Sequence, residues 1–272
     1  MLRIYDLLLP AVLAISAFGC AGEKNELQKK AAHHGGRSGT VADFLIYNGY
    51  GIDTTGTDAL VEIIQSKGLT QRVVTEEEFN PMTADEFAQY GTFIWPGGYN
   101  SEIDEELSPS ARRELRKAVI QKGLNFVGIC AGAFLAVGPK TDVDDVPAWG
   151  LALIEGNYLQ NYTTSSGRRE AMVPTSFPDG SMRQLMLWSG PFFDLNAQKT
   201  NAQVIARYAE DSKPAMIQAK VNNSLVVLSG PHPEAPQLWQ TESGLVDVDG
   251  LDWEIAWKLI NAAHTGQPLP SW

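Results

Sequence analysis

Basic residues are scarce in this chain of 272 residues, and no long apolar run is present. Lysine and arginine number 21 against 32 acidic residues, so the formal net charge is −11. An acidic surface without a basic stripe repels phosphate backbones, and nucleic acid is therefore not an expected partner. No apolar stretch reaches the roughly 20 residues that a membrane-spanning helix needs. The hydrophobic fraction, 44%, is ordinary for a globular protein with a core.

Cysteine is also rare, and the two cysteines lie in different settings. Residues 1–20 carry Arg3, an apolar run over 7–18 and small residues around Cys20, a pattern typical of an export signal. The sequence Ala-Phe-Gly-Cys at 17–20 resembles a bacterial lipoprotein box, in which the cysteine is lipidated; ordinary cleavage nearby is the alternative. Either way Cys130 becomes the only free thiol of the mature chain. We expect an exported protein facing the periplasm or the exterior, anchored in the membrane through lipid on Cys20 or else secreted.

The rest of the chain divides into a linker and one folded body. Residues 21–40 are polar and Gly-rich without apolar periodicity, which predicts a flexible linker. His33 and His34 have no cysteine or carboxylate cluster beside them, so we interpret them as solvated linker residues and expect no metal site. From residue 41 the chain shows no internal repeat and no break in composition. We therefore predict a single domain over 41–270.

Apolar runs alternate with helical patterns through the first half of this domain. Strands are predicted at 44–47, 73–74, 92–95 and 125–129, and helices at 58–67, 83–89 and 109–122. This alternation predicts an α/β fold with a mostly parallel sheet flanked by helices and functional loops at the carboxyl ends of the strands. A β-rich second half is added by strands predicted at 202–209, 214–221 and 224–229, before a final helix over about 250–263.

The segment Gly128-Ile-Cys130-Ala-Gly132 follows an apolar strand and precedes a predicted helix. This pattern is that of a nucleophile elbow with cysteine in place of serine. Glycines are needed there because side chains beside the sharp turn would collide with neighbouring backbone. A helix N-terminus next to a sulfur also favours the nucleophilic thiolate. The alternative is an inert cysteine in a packed strand.

A second apolar strand, 224–229, runs into His232-Pro-Glu234. A glutamate two residues after a histidine can hold one imidazole nitrogen while the other faces a nucleophile, as in a catalytic triad. Of the other histidines, two lie in the linker and His264 lies near the C-terminus, so His232 is the candidate base. A surface turn with an incidental histidine is the alternative.

A third strand ends in Trp95-Pro-Gly97-Gly98. This turn can aim the Gly98 N–H at the oxygen of an attacked carbonyl, with the Ala131 N–H as second donor of an oxyanion hole. Taken alone, it is equally an ordinary turn. A pocket near the nucleophile is expected to be lined by Trp95, Phe134 and Trp188, although the segment around Trp188 also fits an ordinary aromatic turn.

In their order along the chain, the three motifs resemble the class I glutamine-amidotransferase-like superfamily over about residues 41–265. More narrowly, Gly128 to Phe134 resembles the family named for the N-terminal domain of biotin-protein ligases. The resemblance implies a flavodoxin-like fold, a triad of Cys130, His232 and Glu234, and an oxyanion strand ending at Gly97-Gly98.

Two departures from these families bear on the substrate. Glutamine amidotransferases usually have Cys-Leu-Gly or Cys-Asn-Gly followed by a glutamine, whereas this chain has Cys130-Ala-Gly-Ala-Phe134, which argues against glutamine. The Gly-Arg-Gly-Arg adenylate-binding motif of biotin ligases is missing, and Ser166-Gly-Arg-Arg169 is a weak substitute. Biotin ligation is therefore not expected.

These patterns predict an exported hydrolase of an amide or related acyl C–N bond in a small-molecule or peptide-like substrate. Cys130 would attack the carbonyl, His232 would transfer the proton, and Glu234 would orient His232. No metal or organic cofactor is expected. The alternatives are a non-catalytic envelope binding module and a thiol-based sensor on the same fold. The oligomeric state is not indicated.

Overall fold

A computed structural model of the protein describes residues 40–194 and 200–272. The predicted signal segment 1–20 with Cys20, and the linker 21–40 except for its last residue, lie outside the described residues. In these two ranges, no helix combines the length and apolar character needed to cross a membrane.

Helices and short strands alternate over the first half of the described chain, and strands dominate the second half. The helices are α1 Thr54–Ser66, α2 Glu76–Phe79, α3 Ala84–Phe87, α4 Asn100–Glu106, α5 Pro109–Lys122, α6 Ala131–Ala136, α7 Gln237–Ser243 and α8 Trp253–Thr265. The strands are β1 Ala42–Tyr47, β2 Gln71–Val74, β3 Tyr90–Trp95, β4 Asn125–Ile129, β5 Val137–Gly138, β6 Ile154–Glu155, β7 Gln160–Asn161, β8 Glu170–Ser176, β9 Met182–Trp188, β10 Pro191–Phe192, β11 Gln203–Tyr208, β12 Pro214–Val221 and β13 Ser224–Ser229.

The main sheet has nine strands in the order β2-β1-β3-β4-β13-β12-β11-β8-β9. The pairs from β2 to β13 are parallel, and the pairs from β13 to β9 are antiparallel. The sheet is therefore mixed, and the expectation of a mostly parallel sheet was wrong. The reason lies in the connections: helices return the chain between parallel strands, whereas tight turns such as the one after Val221 can only join antiparallel neighbours.

Local signals account for the best-predicted elements. Helix α5 begins at Pro109 because the Ser108 hydroxyl accepts a hydrogen bond from the Ala111 N–H at 3.0 Å, and it ends at Gly123 with φ of 82°. Helix α1 begins four residues earlier than predicted, because the Asp53 carboxylate caps it by accepting from the N–H groups of Thr55 and Gly56.

The parallel strands β1, β3, β4 and β13 are buried on both faces, which explains their largely apolar sequences, whereas the edge strand β2 is partly exposed. In β1, Phe44 and Ile46 pack with α1 and α8, while Leu45 and Tyr47 pack into the cluster on the opposite face. The same two apolar clusters cover the two faces of β3, β4 and β13, which are neighbours in the sheet. The loops that follow the three strands therefore meet at one edge of the sheet.

Candidate active site

The three predicted motifs lie at the ends of three neighbouring parallel strands. Trp95 at the end of β3 pairs with Gly128 in β4, and Ser229 at the end of β13 pairs with Ile129. The loops after β3, β4 and β13 contain Gly97-Gly98, Cys130 and His232, respectively. The structure thus brings together segments separated by more than 130 residues.

Cys130 occupies a strained turn between β4 and α6. Its φ of 48° and ψ of −102° are unusual for a residue with a side chain. The turn is held by the Cys130 N–H, which donates to the Ser229 carbonyl at 2.8 Å, and by the Cys130 carbonyl, which accepts from the Ala133 and Phe134 N–H groups at 3.0 Å each. This geometry is that of a nucleophile elbow.

The glycines around Cys130 are required by close backbone approach. A Cβ atom on Gly132 would lie 2.3 Å from the Trp95 carbonyl oxygen, and one on Gly128 would lie 2.7 Å from the backbone of Gly132. Any side chain at either position would push the elbow away from β3 or from its own helix.

His232 and Glu234 form a buried pair beside Cys130. His232 Nδ1 lies 2.8 Å from Glu234 Oε1, and the exposed fractions of the two side chains are 3% and 0%. The loop is fixed by the His232 N–H, which donates to the Met186 carbonyl at 2.7 Å, and by the Trp253 indole N–H, which donates to the Glu234 carbonyl at 3.1 Å. The Nδ1 atom of the imidazole is therefore held against the Glu234 carboxylate.

The charges around His232 favour its cationic form. Burial alone lowers the pKa of His232, but its electrostatic interactions and hydrogen bonds with Cys130 and Glu234 outweigh burial and raise the pKa to about 10. A protonated imidazole next to the sulfur stabilises a thiolate, so the electrostatics of the site suit a nucleophilic cysteine.

The Gly97-Gly98 turn lies between His232 and the loop that follows β1. A Cβ on Gly97 would lie 2.3 Å from His232 Cε1, and one on Gly98 would lie 2.1 Å from the Gly51 carbonyl oxygen. Because Gly97 has no side chain, the His232 imidazole can occupy the space next to it. Ala131 is the first residue of α6, and an N–H at this position has no acceptor within its own helix. It is available to an oxygen bound beside the sulfur.

The three predicted pocket residues lie in different surroundings. Trp95 is fully buried in the core, in ring contact with Tyr47, Phe79 and Phe93. Phe134 is also buried, in α6. Trp188 contacts the Cys130 thiol through its carbonyl and remains partly exposed, at 37%.

The site is closed in this structure. The Cys130 thiol is 5% exposed and donates a hydrogen bond to the Trp188 carbonyl at 3.5 Å. Four described cavities have volumes of about 590, 350, 220 and 360 Å³, and none of these four is lined by Cys130, His232 or Glu234. The turn that carries Trp188 therefore covers the sulfur.

Trp239 supports His232 and was not predicted from the sequence. Its ring lies 5.1 Å from the imidazole in an edge-to-face arrangement and 5.9 Å from the ring of Trp188. Its indole N–H donates to the Thr55 hydroxyl at 2.5 Å. Trp239 lies in α7, which starts three residues after Glu234. That proximity in sequence was the available signal.

The hairpin of β8 and β9 was not predicted either. It carries Trp188 to Cys130 and Met186 to His232. Its turn contains Pro178-Asp-Gly180, a sequence favoured in turns, and Gly180 has φ of 81°. No group of three or more His, Cys, Asp or Glu side chains that could hold a metal ion occurs in residues 40–194 and 200–272.

The sequence matches no protein-family model and no curated protein. Among solved structures, the fold is similar to a glutamine amidotransferase, with 18% identity, coverage of 73% of this chain and 96% of that chain, and a TM-score of 0.50. It is also similar to a protein from Thermoplasma acidophilum described as a GMP synthase component, with 12% identity, coverage of 83% and 95%, and a TM-score of 0.51. At these identities the likeness shows the fold alone, an α/β fold with a mixed sheet flanked by helices that is similar to the fold of these two structures.

Proposed function

We propose that this protein is a cysteine-dependent hydrolase of an amide or related acyl C–N bond. The observation that carries the proposal is the buried pair of His232 and Glu234, with an Nδ1 to Oε1 distance of 2.8 Å, whose histidine interacts with Cys130 on a strained turn. This arrangement supports the assignment of Cys130 as nucleophile, His232 as base and Glu234 as the orienting carboxylate of an acyl transfer.

The first half of the reaction forms an acyl-enzyme. The Cys130 thiolate attacks the carbonyl carbon, and the oxygen takes up the negative charge beside the Ala131 and Gly98 N–H groups. Protonated His232 then donates its proton to the leaving nitrogen as the C–N bond breaks. Glu234 keeps the imidazole oriented throughout. The products are a free amine and a thioester on Cys130.

The second half returns the enzyme to its starting state. Neutral His232 accepts a proton from water while the hydroxyl attacks the thioester carbonyl. The C–S bond breaks, and the products are a carboxylic acid and the thiolate of Cys130 beside protonated His232. None of these steps uses a metal or an organic cofactor.

The substrate class follows from the surroundings of the nucleophile. Phe134 stands where amidotransferases carry a glutamine after the elbow, which supports an amide other than that of glutamine. We propose a small-molecule or peptide-like amide. The narrower membership, in the family named for the N-terminal domain of biotin-protein ligases, rests on residues 128–134 alone, and biotin ligation forms no part of the proposal.

Alkylation of Cys130 by iodoacetamide near neutral pH tests the triad. Fast alkylation is expected in the wild type, with a fall of at least about tenfold in His232→Ala and a smaller fall in Glu234→Gln. His264→Ala is the matched control, since His264 is a half-buried histidine in contact with Phe44. A slow alkylation rate that is unchanged in His232→Ala would contradict the proposal. Turnover of a panel of amides that survives Cys130→Ala would do the same.

A second candidate is favoured by the closed site. Because Cys130 is 5% exposed and lines none of the four cavities, a non-catalytic binding module also fits, and a thiol-based sensor is the other alternative. A sensor predicts a thiol that oxidises or alkylates readily without acyl turnover. A binding module predicts neither property.

The predicted location is part of the proposal. An exported protein carrying lipid on Cys20 would be found in the membrane fraction with the mass of a lipid adduct on its first residue. A mature chain in the soluble secreted fraction that lacks the adduct would indicate ordinary signal cleavage instead.

A further inference from the structure

Two arginines lie next to the turn that holds the Cys130 sulfur. The Trp188 carbonyl accepts the thiol hydrogen bond, and the next residue, Ser189, donates its N–H to the Arg169 carbonyl at 2.7 Å. Glu170 pairs with Trp188 across the last rung of the β8–β9 hairpin. Residues 168–170 are therefore neighbours of the candidate nucleophile in space.

The same residues line a cavity of about 360 Å³ together with Ser243 and Leu245. Ser243 ends α7, the helix whose Trp239 contacts both Trp188 and His232. Leu245 packs on the small cluster that contains Trp239 and Met186. The cavity thus adjoins the aromatic pair that covers the triad, and it is of the size that small-molecule ligands occupy.

The charges in this cavity are unusual for the protein. The guanidinium group of every other arginine in the described residues has an ion-pair or hydrogen-bond partner: Arg72, Arg112, Arg113, Arg116, Arg183 and Arg207. Within residues 40–194 and 200–272, neither Arg168 nor Arg169 forms an ion pair. Both are exposed on a chain whose net charge is −11. Acidic side chains are plentiful, yet these two guanidinium groups pair with none of those described.

We propose that Arg168 and Arg169 bind an anionic group of the substrate, so that the amide cleaved at Cys130 carries a carboxylate near its scissile carbonyl. Guanidinium groups match carboxylates because they donate two parallel hydrogen bonds. With Glu170 included, the cavity has two positive charges and one negative charge. This inference rests on the proposed hydrolase function and names the substrate class for the same site.

The test compares two alkylating reagents that differ in charge. Iodoacetate and iodoacetamide both transfer a two-carbon group to the Cys130 thiolate with loss of iodide, but only iodoacetate carries a carboxylate. The full-length chain is used, and Cys130 is followed separately from Cys20 by peptide mass. The measured quantity is the ratio of the rate with iodoacetate to the rate with iodoacetamide.

The ratio is expected to fall by about two- to fivefold in Arg169→Gln and in Arg168→Gln, and further in the double variant. Arg169→Lys should restore most of the ratio because it keeps the charge. Added salt should lower the wild-type ratio and leave the double variant unchanged. Arg113→Gln, which removes the same charge from α5, is the matched control and should leave the ratio unchanged.

The outcomes separate this inference from the function on which it rests. In one outcome, alkylation is fast and depends on His232 while the iodoacetate-to-iodoacetamide ratio is the same in wild type and in both arginine variants. That result overturns the anion site and leaves the hydrolase proposal intact. Slow alkylation by both reagents, insensitive to His232→Ala, overturns the hydrolase proposal and the anion site with it. A ratio lowered equally by Arg113→Gln also overturns the anion site, because the effect would then be one of overall charge.

Discussion

The Cys130 thiol donates a hydrogen bond to the backbone carbonyl of Trp188 at 3.5 Å. The turn that contains this carbonyl is itself anchored, because the buried Tyr208 hydroxyl donates to the Pro191 carbonyl at 2.7 Å and the Asn161 amide donates to the Ser189 carbonyl. This anchored turn thus covers the sulfur, and the indole of Trp188 beside it is partly exposed.

Removing this indole should open the site. In Trp188→Ala we expect iodoacetamide to alkylate Cys130 about two- to tenfold faster, the range set by an aromatic contact of about 0.5–1.5 kcal/mol. Peptide mass spectrometry over a time course measures the rate. Trp272→Ala removes a similarly exposed tryptophan near Arg207 and serves as the control. A Trp188→Ala rate equal to that of the control would argue that Trp188 does not limit access.

Adding a methyl group at Gly97 should displace the imidazole. A Cβ there would lie 2.3 Å from His232 Cε1, so Gly97→Ala is expected to slow Cys130 alkylation by about tenfold or more while the protein stays folded. Gly180→Ala is the control because its Cβ meets nothing within 4 Å, although its positive φ carries a stability cost. Circular dichroism verifies folding in both variants. An unchanged rate in Gly97→Ala would contradict the role assigned to His232.

Stability should depend on pH through His232. Its pKa is raised from 6.5 to about 10 in the folded protein, so its proton stabilises the fold fully below pH 6.5 and this contribution is lost as pH rises towards 10. We expect the free energy of unfolding to decrease across this window more steeply in wild type than in His232→Gln. Urea unfolding at a series of pH values measures both slopes, and equal slopes would count against the charged pair.

Asp252 should also make the fold less stable as pH rises, but here the neutral form of the side chain is the one that the fold favours. Burial raises its pKa from 3.8 to about 7, although Arg183 at 2.8 Å partly offsets the shift. Ionising Asp252 therefore costs stability as pH rises from 3.8 through 7. Asp252→Asn is expected to stabilise the protein by about 1–2 kcal/mol above pH 7 and to have no effect near pH 4.

The control for this prediction is Asp85→Asn, because Asp85 is an exposed partner of Lys122. Surface pairs of this kind contribute about 0–1 kcal/mol. Thermal or urea unfolding at the two pH values gives the comparison. A loss of stability in Asp252→Asn at both pH values would mean that the ion pair with Arg183 outweighs burial.

Elements whose bounds are set by residues close to them in sequence were predictable from sequence. Strands β4, β12 and β13 and helix α5 have their predicted bounds, because apolar runs, the Ser108 cap and Gly123 act within a few residues. Each of the three motifs could likewise be placed at the end of an apolar strand. The pairing of strands in the second half could not, because tight turns and long-range packing decide which strands become neighbours.

For the candidate site, sequence by itself determined which groups are proposed to react: a cysteine on a glycine-flanked turn, and a histidine followed two residues later by a glutamate. These features are local in the chain. Only the tertiary structure decided that the Trp188 carbonyl lies against the Cys130 thiol, that Trp239 packs edge-to-face on His232, and that Arg168 and Arg169 lie nearby. The physical reason is that these contacts join the β8–β9 hairpin, α7 and the elbow, which lie far apart in sequence and meet only when the mixed sheet is assembled.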